Sequence, residues 1–180
     1  MIQKYSTILL LLFSCNILAQ NTEARIAPLA LLARWFSFDL SLNTSKHWSY
    51  GPSGIYYGAP RSGNMFIPSY NGFALGGHVY YYYHGFDLNS WYWGVHAFYE
   101  RFESYPHAFN GHYELNGTKV NTKVGYRILS SSSLSFLFGL GLETRNYSQD
   151  NIANSSLSSP DFSDQSGLFP FLEAKMAYRF

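Results

Sequence analysis

Three features of the sequence predict an all-β fold. The predicted architecture is a transmembrane antiparallel up-and-down β-barrel of eight strands. Large apolar residues recur at every second position in several stretches, which is the period of a β-strand. The positions between them carry glycine, serine and charges of both signs, as suits a narrow polar interior. The links between the stretches are alternately short and long, as in barrels with tight turns at one end and long loops at the other.

The composition and the first residues agree with an exported barrel. Charged residues make up 13% of the chain and aromatic residues 19%, whereas a soluble domain has about 25% charged residues. Lys4, an apolar run at 8–18 and Ala19 predict a cleaved signal peptide at 1–19, since the run is too short to span a membrane. The barrel is then expected at 20–180, without the single cysteine. The alternative is lipoprotein processing at Cys15.

The alternation is clearest at the end of the sequence. Even positions from Leu168 to Phe180 are uncharged and mostly large, whereas Glu173, Lys175 and Arg179 stand at odd positions. In a membrane barrel, a slip of one residue would place the two basic side chains in lipid, at about 2–4 kcal/mol each near the midplane. The even positions are therefore expected to face outward. Similar alternation occurs at 119–128, 134–145 and 36–42.

Less regular alternation predicts three more strands, at 47–57, 72–85 and 90–102. The short links between strands are expected at 43–46, 84–89 and 130–133, and the long ones at 58–71, 103–116 and 146–166. These are seven strands, whereas bacterial single-chain barrels have an even number. An eighth strand is therefore expected in RIAPLALLAR (25–34), with a tight turn near residues 33–35. A short amphipathic helix or an inserted plug segment are the alternatives for this stretch.

Two segments resemble known proteins. The ending FPFLEAKMAYRF (169–180) resembles the assembly signal of outer-membrane barrels, which implies Phe180, Tyr178 and Met176 as its residues. The stretch RIAPLALLARWFSFDLSLN (25–43) resembles the start of small, functionally uncharacterised barrels, although Ala27 stands where asparagine is common. The chain thus resembles small bacterial outer-membrane β-barrel proteins of the OmpA/OmpX-like eight-stranded type.

This resemblance implies a location and a set of partners. The location is the outer membrane of a Gram-negative cell. The implied partners are outer-membrane lipids and lipopolysaccharide, the barrel-assembly machinery and periplasmic chaperones. The formal charge of +1 gives no reason to expect binding to nucleic acid, which requires a basic face.

Charges at the polar positions predict a paired network in the lumen, because an unpaired buried charge costs several kcal/mol. An eight-stranded barrel is just filled by side chains, so a wide pore is not expected. The residues predicted for the network are Lys123, Arg127, Glu143, Arg145, Glu173, Lys175 and Arg179.

Candidates for chemistry are weak. His47 and Ser49 are two residues apart on a predicted strand and resemble the His-x-Ser of lipid A deacylases, but they follow a short turn. His107 and His112 fall in a predicted loop, and His78, His84 and His96 on neighbouring strands are possible metal ligands. We expect no cofactor, no metal and no catalytic site.

The sequence therefore favours a structural or surface-interaction role in the outer membrane, with a lumen plugged by side chains. Two alternatives remain. One is an outer-membrane enzyme that modifies lipid, of the lipid A deacylase or acyltransferase type. The other is a soluble periplasmic barrel that binds an apolar ligand.

Overall fold

The computed structural model describes residues 22–28, 35–58, 69–105, 113–152 and 166–180. These residues form eight strands, each antiparallel to the next, and the first strand pairs with the last to close a barrel. The all-β, up-and-down, eight-stranded fold is therefore confirmed. Among the described residues, no helix is long and apolar enough to cross a membrane. The strands are β1 (Thr22–Ile26), β2 (Trp35–Asn43), β3 (Trp48–Gly58), β4 (Ser69–Tyr82), β5 (Ser90–Tyr105), β6 (Tyr113–Leu129), β7 (Leu134–Ile152) and β8 (Gly167–Arg179).

The position of the first strand is a correction. The strand was expected within 25–34, but β1 begins at Thr22 and ends at Ile26, and residues 29–34 lie outside the described part. The reason is the polarity of β1: its inward positions are the charged Glu23 and Arg25, whereas the apolar run that follows drew the prediction downstream. The hydrogen bond from the Ala27 amide to the Ser37 carbonyl, at 3.2 Å, continues the pairing with β2 by one residue.

The register around the barrel defines its tilt. We follow the paired residues from Arg25 on β1 through β2 and the later strands in turn, and reach Gly167 on β8. Where β1 pairs directly with β8, however, the partner of Arg25 is Ala177. Positions 167 and 177 differ by ten residues, which is the shear of the barrel. Such a stagger means strands tilted by about 35–45° to the barrel axis. The residues passed on the way are Asp39, Ser53, Gly76, Phe98, Lys119 and Arg145.

The two ends of the barrel differ. One end, here called the turn end, carries the short links 44–47, 83–89 and 130–133, and there the Phe180 amide donates to the Thr22 carbonyl at 3.1 Å. The opposite end, here called the loop end, carries the links 27–34, 59–68, 106–112 and 153–166. The turn-end links have 4, 7 and 4 residues and the loop-end links 8, 10, 7 and 14, so the predicted alternation of short and long links holds except that 83–89 is as long as 106–112. Strands β5 to β7 are 16 to 19 residues long, against 5 to 11 for β1 to β3, so the wall is uneven at the loop end.

The barrel turns apolar side chains outward and charged ones inward. Leu172 is 86% exposed, whereas Lys123 on the inner face is 2% exposed. In β8 the even positions face outward and Lys175 faces inward, as the alternation predicted. The outer face of the strands carries, among others, Phe36, Phe38, Leu40, Leu75, Val79, Trp91, Trp93, Val120, Val124, Ile128, Phe138, Leu140 and Leu142.

The turn end is filled from within. Phe86, from the link between β4 and β5, is buried and forms one apolar cluster with Tyr80, Tyr82, Tyr92, Leu137 and Ala177. Glycines on the inner face make room for these rings. A Cβ atom at Gly139 would lie only 2.6 Å from the Tyr92 hydroxyl oxygen, closer than any ordinary contact. The interior is therefore closely packed at this end.

Candidate functional site in the barrel interior

Three layers of charged side chains lie inside the barrel. The layer nearest the turn end, here called the lower cluster, consists of Glu23, Arg25 and Arg127, all nearly inaccessible to solvent. Glu23 lies between the two guanidinium groups, with Arg25 Nε at 2.6 Å and Arg127 Nη2 at 2.5 Å. Arg25 also donates to Ser49 Oγ at 3.0 Å and stacks on the Tyr80 ring, with its Cζ 4.4 Å from the ring centre. This cluster ties β1, β3, β4 and β6 together.

The middle layer, here called the central charge chain, alternates in sign from Asp39 through Lys175 and Glu173 to Lys123. Lys175 Nζ lies 2.6 Å from Asp39 Oδ2 and 3.0 Å from Glu173 Oε2, and Lys123 pairs with the same Glu173 oxygen. Since charges buried without partners are strongly destabilising, this alternation is what allows four ionised groups to share a narrow interior.

The two central histidines are held by hydrogen bonds. His78 has a partner at each ring nitrogen: Nε2 lies 2.7 Å from Ser41 Oγ, and Nδ1 lies 2.7 Å from Ser53 Oγ. The His96 Nε2 atom lies 2.8 Å from the Tyr80 hydroxyl, and the two imidazole rings are 5.3 Å apart. His84 is exposed in a turn-end link, away from both. In the part of the chain that the structure describes, no group of three His, Cys, Asp or Glu residues is placed to hold a metal ion.

The layer nearest the loop end, here called the upper cluster, is centred on Glu100. This carboxylate accepts hydrogen bonds from the Tyr57 and Tyr147 hydroxyl groups and forms an ion pair with Lys119. The Lys119 ammonium also donates to the Tyr57 hydroxyl at 3.0 Å. Nearby, Glu143 pairs with Arg145 at 2.6 Å.

A cavity opens in the loop-end half of the interior. Its lining continues from the inner face onto outward-facing side chains of β5 to β8, such as Trp91, Leu140 and Leu172, and the inner and outer parts together enclose about 930 Å³. On the inner face it is lined by rings and by members of the upper cluster and the central charge chain. The part of the cavity inside the barrel is here called the hollow. Its lining includes Ser37, Tyr57, His96, Phe98, Glu100, Lys119, Asn121, Glu143, Arg145, Tyr147, Phe171, Glu173 and Lys175.

The residues predicted for the lumen network occupy the following places. Lys123, Arg127, Glu143, Glu173 and Lys175 are inside the barrel, and Arg145 reaches the loop end with 37% of its side chain exposed. Arg179 lies at the turn end, where it pairs with Asp87 and stacks on the Phe86 ring.

Several partners of the network were missed by the sequence analysis. Asp39 stands at a polar position of a predicted strand, so the alternation carried a signal for it. Glu23 stands outside every predicted strand. Lys119 begins the predicted strand 119–128, but the sequence gives it no partner, because only the register brings it to Glu100.

The candidate pair His47 and Ser49 is engaged elsewhere. His47 Nδ1 lies 2.6 Å from the Tyr82 carbonyl oxygen, and its ring stacks on Tyr81. Ser49 is buried and accepts its hydrogen bond from Arg25. The two side chains therefore have separate partners and do not form a His–Ser pair in this structure. The loop candidates His107 and His112 lie outside the described residues.

The residues of the expected assembly signal lie at the end of β8 and directly after it. Tyr178 and Phe180 are exposed, with their ring centres 5.4 Å apart, and Met176 is partly exposed on the same face. Their outward position leaves the rings accessible to a partner.

No protein-family model, no curated protein and no solved structure matches this chain.

Proposed function

We propose that this chain is an integral outer-membrane protein whose plugged barrel has a structural or surface-interaction role. The observation that carries the proposal is the inverted polarity of the barrel. The nearly inaccessible side chains include Arg25, Lys123 and Asp39, whereas the exposed ones include Leu140 and Leu172. A barrel in water would gain free energy from the opposite arrangement, at about 25 cal/mol for each Å² of apolar surface removed from solvent.

The extent of the apolar outer face supports a lipid environment. Soluble monomers rarely expose a continuous apolar patch larger than a few hundred Å², yet here large apolar side chains cover the outer face of strand after strand. The closed ladder also suits a bilayer, because strand pairing right around the barrel satisfies backbone groups that lipid cannot. Charged residues on the inner face of every strand except β3 and β4 are then shielded from lipid.

The arrangement inside the barrel favours a protein that does not conduct ions freely. Phe86 and its cluster fill the turn end, and the lower cluster and the central charge chain follow above it. In this proposal the turn end faces the periplasm and the longer links face the cell exterior, where they provide the surface for contact with other molecules. The exposed Tyr178 and Phe180 remain available to the barrel-assembly machinery during insertion.

The test is membrane fractionation combined with gel migration. The full chain, expressed in a Gram-negative host, is expected in the outer-membrane fraction and should be released by detergent but not by alkaline carbonate. On a denaturing gel the unheated protein should migrate differently from the boiled protein, because a closed barrel resists unfolding by the detergent. Recovery of folded protein in the soluble periplasmic fraction would contradict the proposal.

A further inference from the structure

The hollow departs from the usual interior of an eight-stranded barrel, which side chains normally fill. Four rings form much of its apolar wall, those of Tyr57, Phe98, Tyr147 and Phe171. Binding sites for small molecules have this character: they are concave and mostly apolar, with a few placed polar groups.

The hollow is closed toward the turn end. Glu173 and Lys175 form its floor, and the ion pairs that they make with Lys123 and Asp39 continue below. Beneath these lie the lower cluster and the ring of Phe86. A molecule in the hollow would therefore be held in a blind pocket, and the exposed part of Arg145 marks its side toward the loop end.

The charges of the lining compensate one another. Among the residues that the structure describes, it contains three carboxylates and three cations, in the pairs Glu100–Lys119, Glu143–Arg145 and Glu173–Lys175. A charged ligand would have to compete with one of these pairs and leave its partner exposed to a medium of low dielectric constant. The lining therefore selects for a ligand without net charge.

One polar side chain in the lining is incompletely satisfied. Asn121, on the inner face of β6, is 93% buried, and its Oδ1 atom accepts no hydrogen bond within the described part of the chain. The side-chain amide has a donor and an acceptor that exchange positions on rotation of its terminal bond. A hydroxyl group in the hollow can donate a hydrogen bond to Oδ1 when this rotation points the atom toward it.

We propose that the hollow is a binding site for a small, uncharged molecule that consists of an aromatic ring system and one hydroxyl group. The ring lies among the four aromatic side chains, where offset or edge-to-face contacts are favourable. The hydroxyl group bonds to Asn121. This inference concerns the interior of the barrel and holds whether or not the outer face contacts lipid.

The experiment uses the full chain, refolded in detergent micelles, and two probes with the same naphthalene ring. 2-Naphthol carries the hydroxyl group, and 2-methoxynaphthalene lacks its hydrogen-bond donor. Equilibrium dialysis against protein-free micelles measures binding above partition into detergent. The native chain should bind 2-naphthol saturably, at one site, with about tenfold higher affinity than 2-methoxynaphthalene, the upper range for one hydrogen bond.

Three variants locate the site, each first checked for folding by its gel migration before and after heating. Asn121→Leu should lower the affinity for 2-naphthol to that for 2-methoxynaphthalene and leave the latter unchanged. Ser37→Trp, which places a large ring into the hollow from β2, should abolish saturable binding of both probes. Thr118→Leu, on the outer face of the same strand as Asn121, should change neither affinity.

Three results would overturn the proposal. One is uptake that does not saturate and equals that of empty micelles, and another is saturable binding that persists unchanged in Ser37→Trp. The third is equal affinity of the native chain for the two probes, which would show that the ligand hydroxyl donates no hydrogen bond to Asn121. This result uses the native chain alone, so it does not depend on the folding of Asn121→Leu. Membrane localisation is read out separately by fractionation, so failure of this test leaves the proposed function standing.

Discussion

Lys175 and Asp39 are 136 positions apart in the chain, yet the Lys175 ammonium and the Asp39 carboxylate lie 2.6 Å apart inside the barrel. One residue is on β8 and the other on β2, on either side of the five-residue strand β1. The pair therefore forms only when β1 has joined the two ends of the sheet. It is a direct consequence of barrel closure.

The two members of this pair should differ in the cost of their removal. Lys175→Met should lower the free energy of unfolding by about 3–5 kcal/mol, because it leaves the buried Asp39 without its counter-charge. Asp39→Asn should cost less, since Lys175 keeps its ion pair with Glu173 at 3.0 Å. Urea titration of the refolded protein, followed by tryptophan fluorescence, measures both values.

Two further variants serve as controls for the pair. In the double variant Asp39→Asn/Lys175→Met no charge is left unpaired at Asp39, so it should be more stable than Lys175→Met alone. Asp87→Asn removes an exposed pair with Arg179 and should cost no more than about 1 kcal/mol. Equal losses for Lys175→Met and Asp87→Asn would contradict the account of the central charge chain.

Inner-face glycines should tolerate a methyl group less well than outer-face ones. In Gly139→Ala the added Cβ atom would lie 2.6 Å from the Tyr92 hydroxyl oxygen, so the packed ring must move, at a cost of about 1–3 kcal/mol. Gly77→Ala is the matched control on the outer face, where the nearest atom is a backbone oxygen at 3.3 Å. The same urea titration compares the two, and an equal or greater loss for Gly77→Ala would argue against a closely packed turn end.

A charge on the outer face should be costly in the middle of the apolar belt and tolerated at its edge. Val124 pairs with Trp93 and Leu140, whereas Thr118, six residues nearer the loop end on the same strand, pairs with Asn146. In lipid vesicles Val124→Lys should therefore lower the free energy of unfolding by about 2–4 kcal/mol, and Thr118→Lys by about 0–1 kcal/mol.

The comparison of Val124→Lys with Thr118→Lys also shows whether the outer face of the barrel contacts lipid or water. Both native side chains are exposed, so in water neither substitution buries a charge and the two variants should be about equally stable. Equal stability of the two in vesicles would speak for a soluble barrel.

Much of the fold follows from local alternation, which the sequence carries strand by strand. The inward direction of Lys175 and the outward direction of Leu172 are both set by their parity within one strand, so each was predictable. Strand β1 was misplaced because five residues with two charges give a weak periodic signal beside the apolar run that follows. Strand β1 closes the barrel, and only its pairing with Asp39 of β2 and Arg179 of β8 shows this.

The candidate site was less predictable than the fold for a physical reason. Which charges meet depends on the register, and a shear of ten residues brings Asp39 beside Lys175 and Lys119 beside Glu100. No feature of either strand alone specifies that offset. The hollow likewise depends on the register, because the register decides which side chains of different strands lie at the same level along the barrel axis.

Contact between the outer face and lipid is the central claim, and the native tryptophans can report it directly. Trp48, Trp91 and Trp93 are exposed on the outer face of the barrel. The full chain would be refolded into vesicles of phospholipids with brominated acyl chains and, in parallel, of the same lipids without bromine. Because bromine quenches indole fluorescence on contact, we expect strong quenching in the brominated vesicles. Equal fluorescence in both, with the protein left in the supernatant after the vesicles are sedimented, would contradict it.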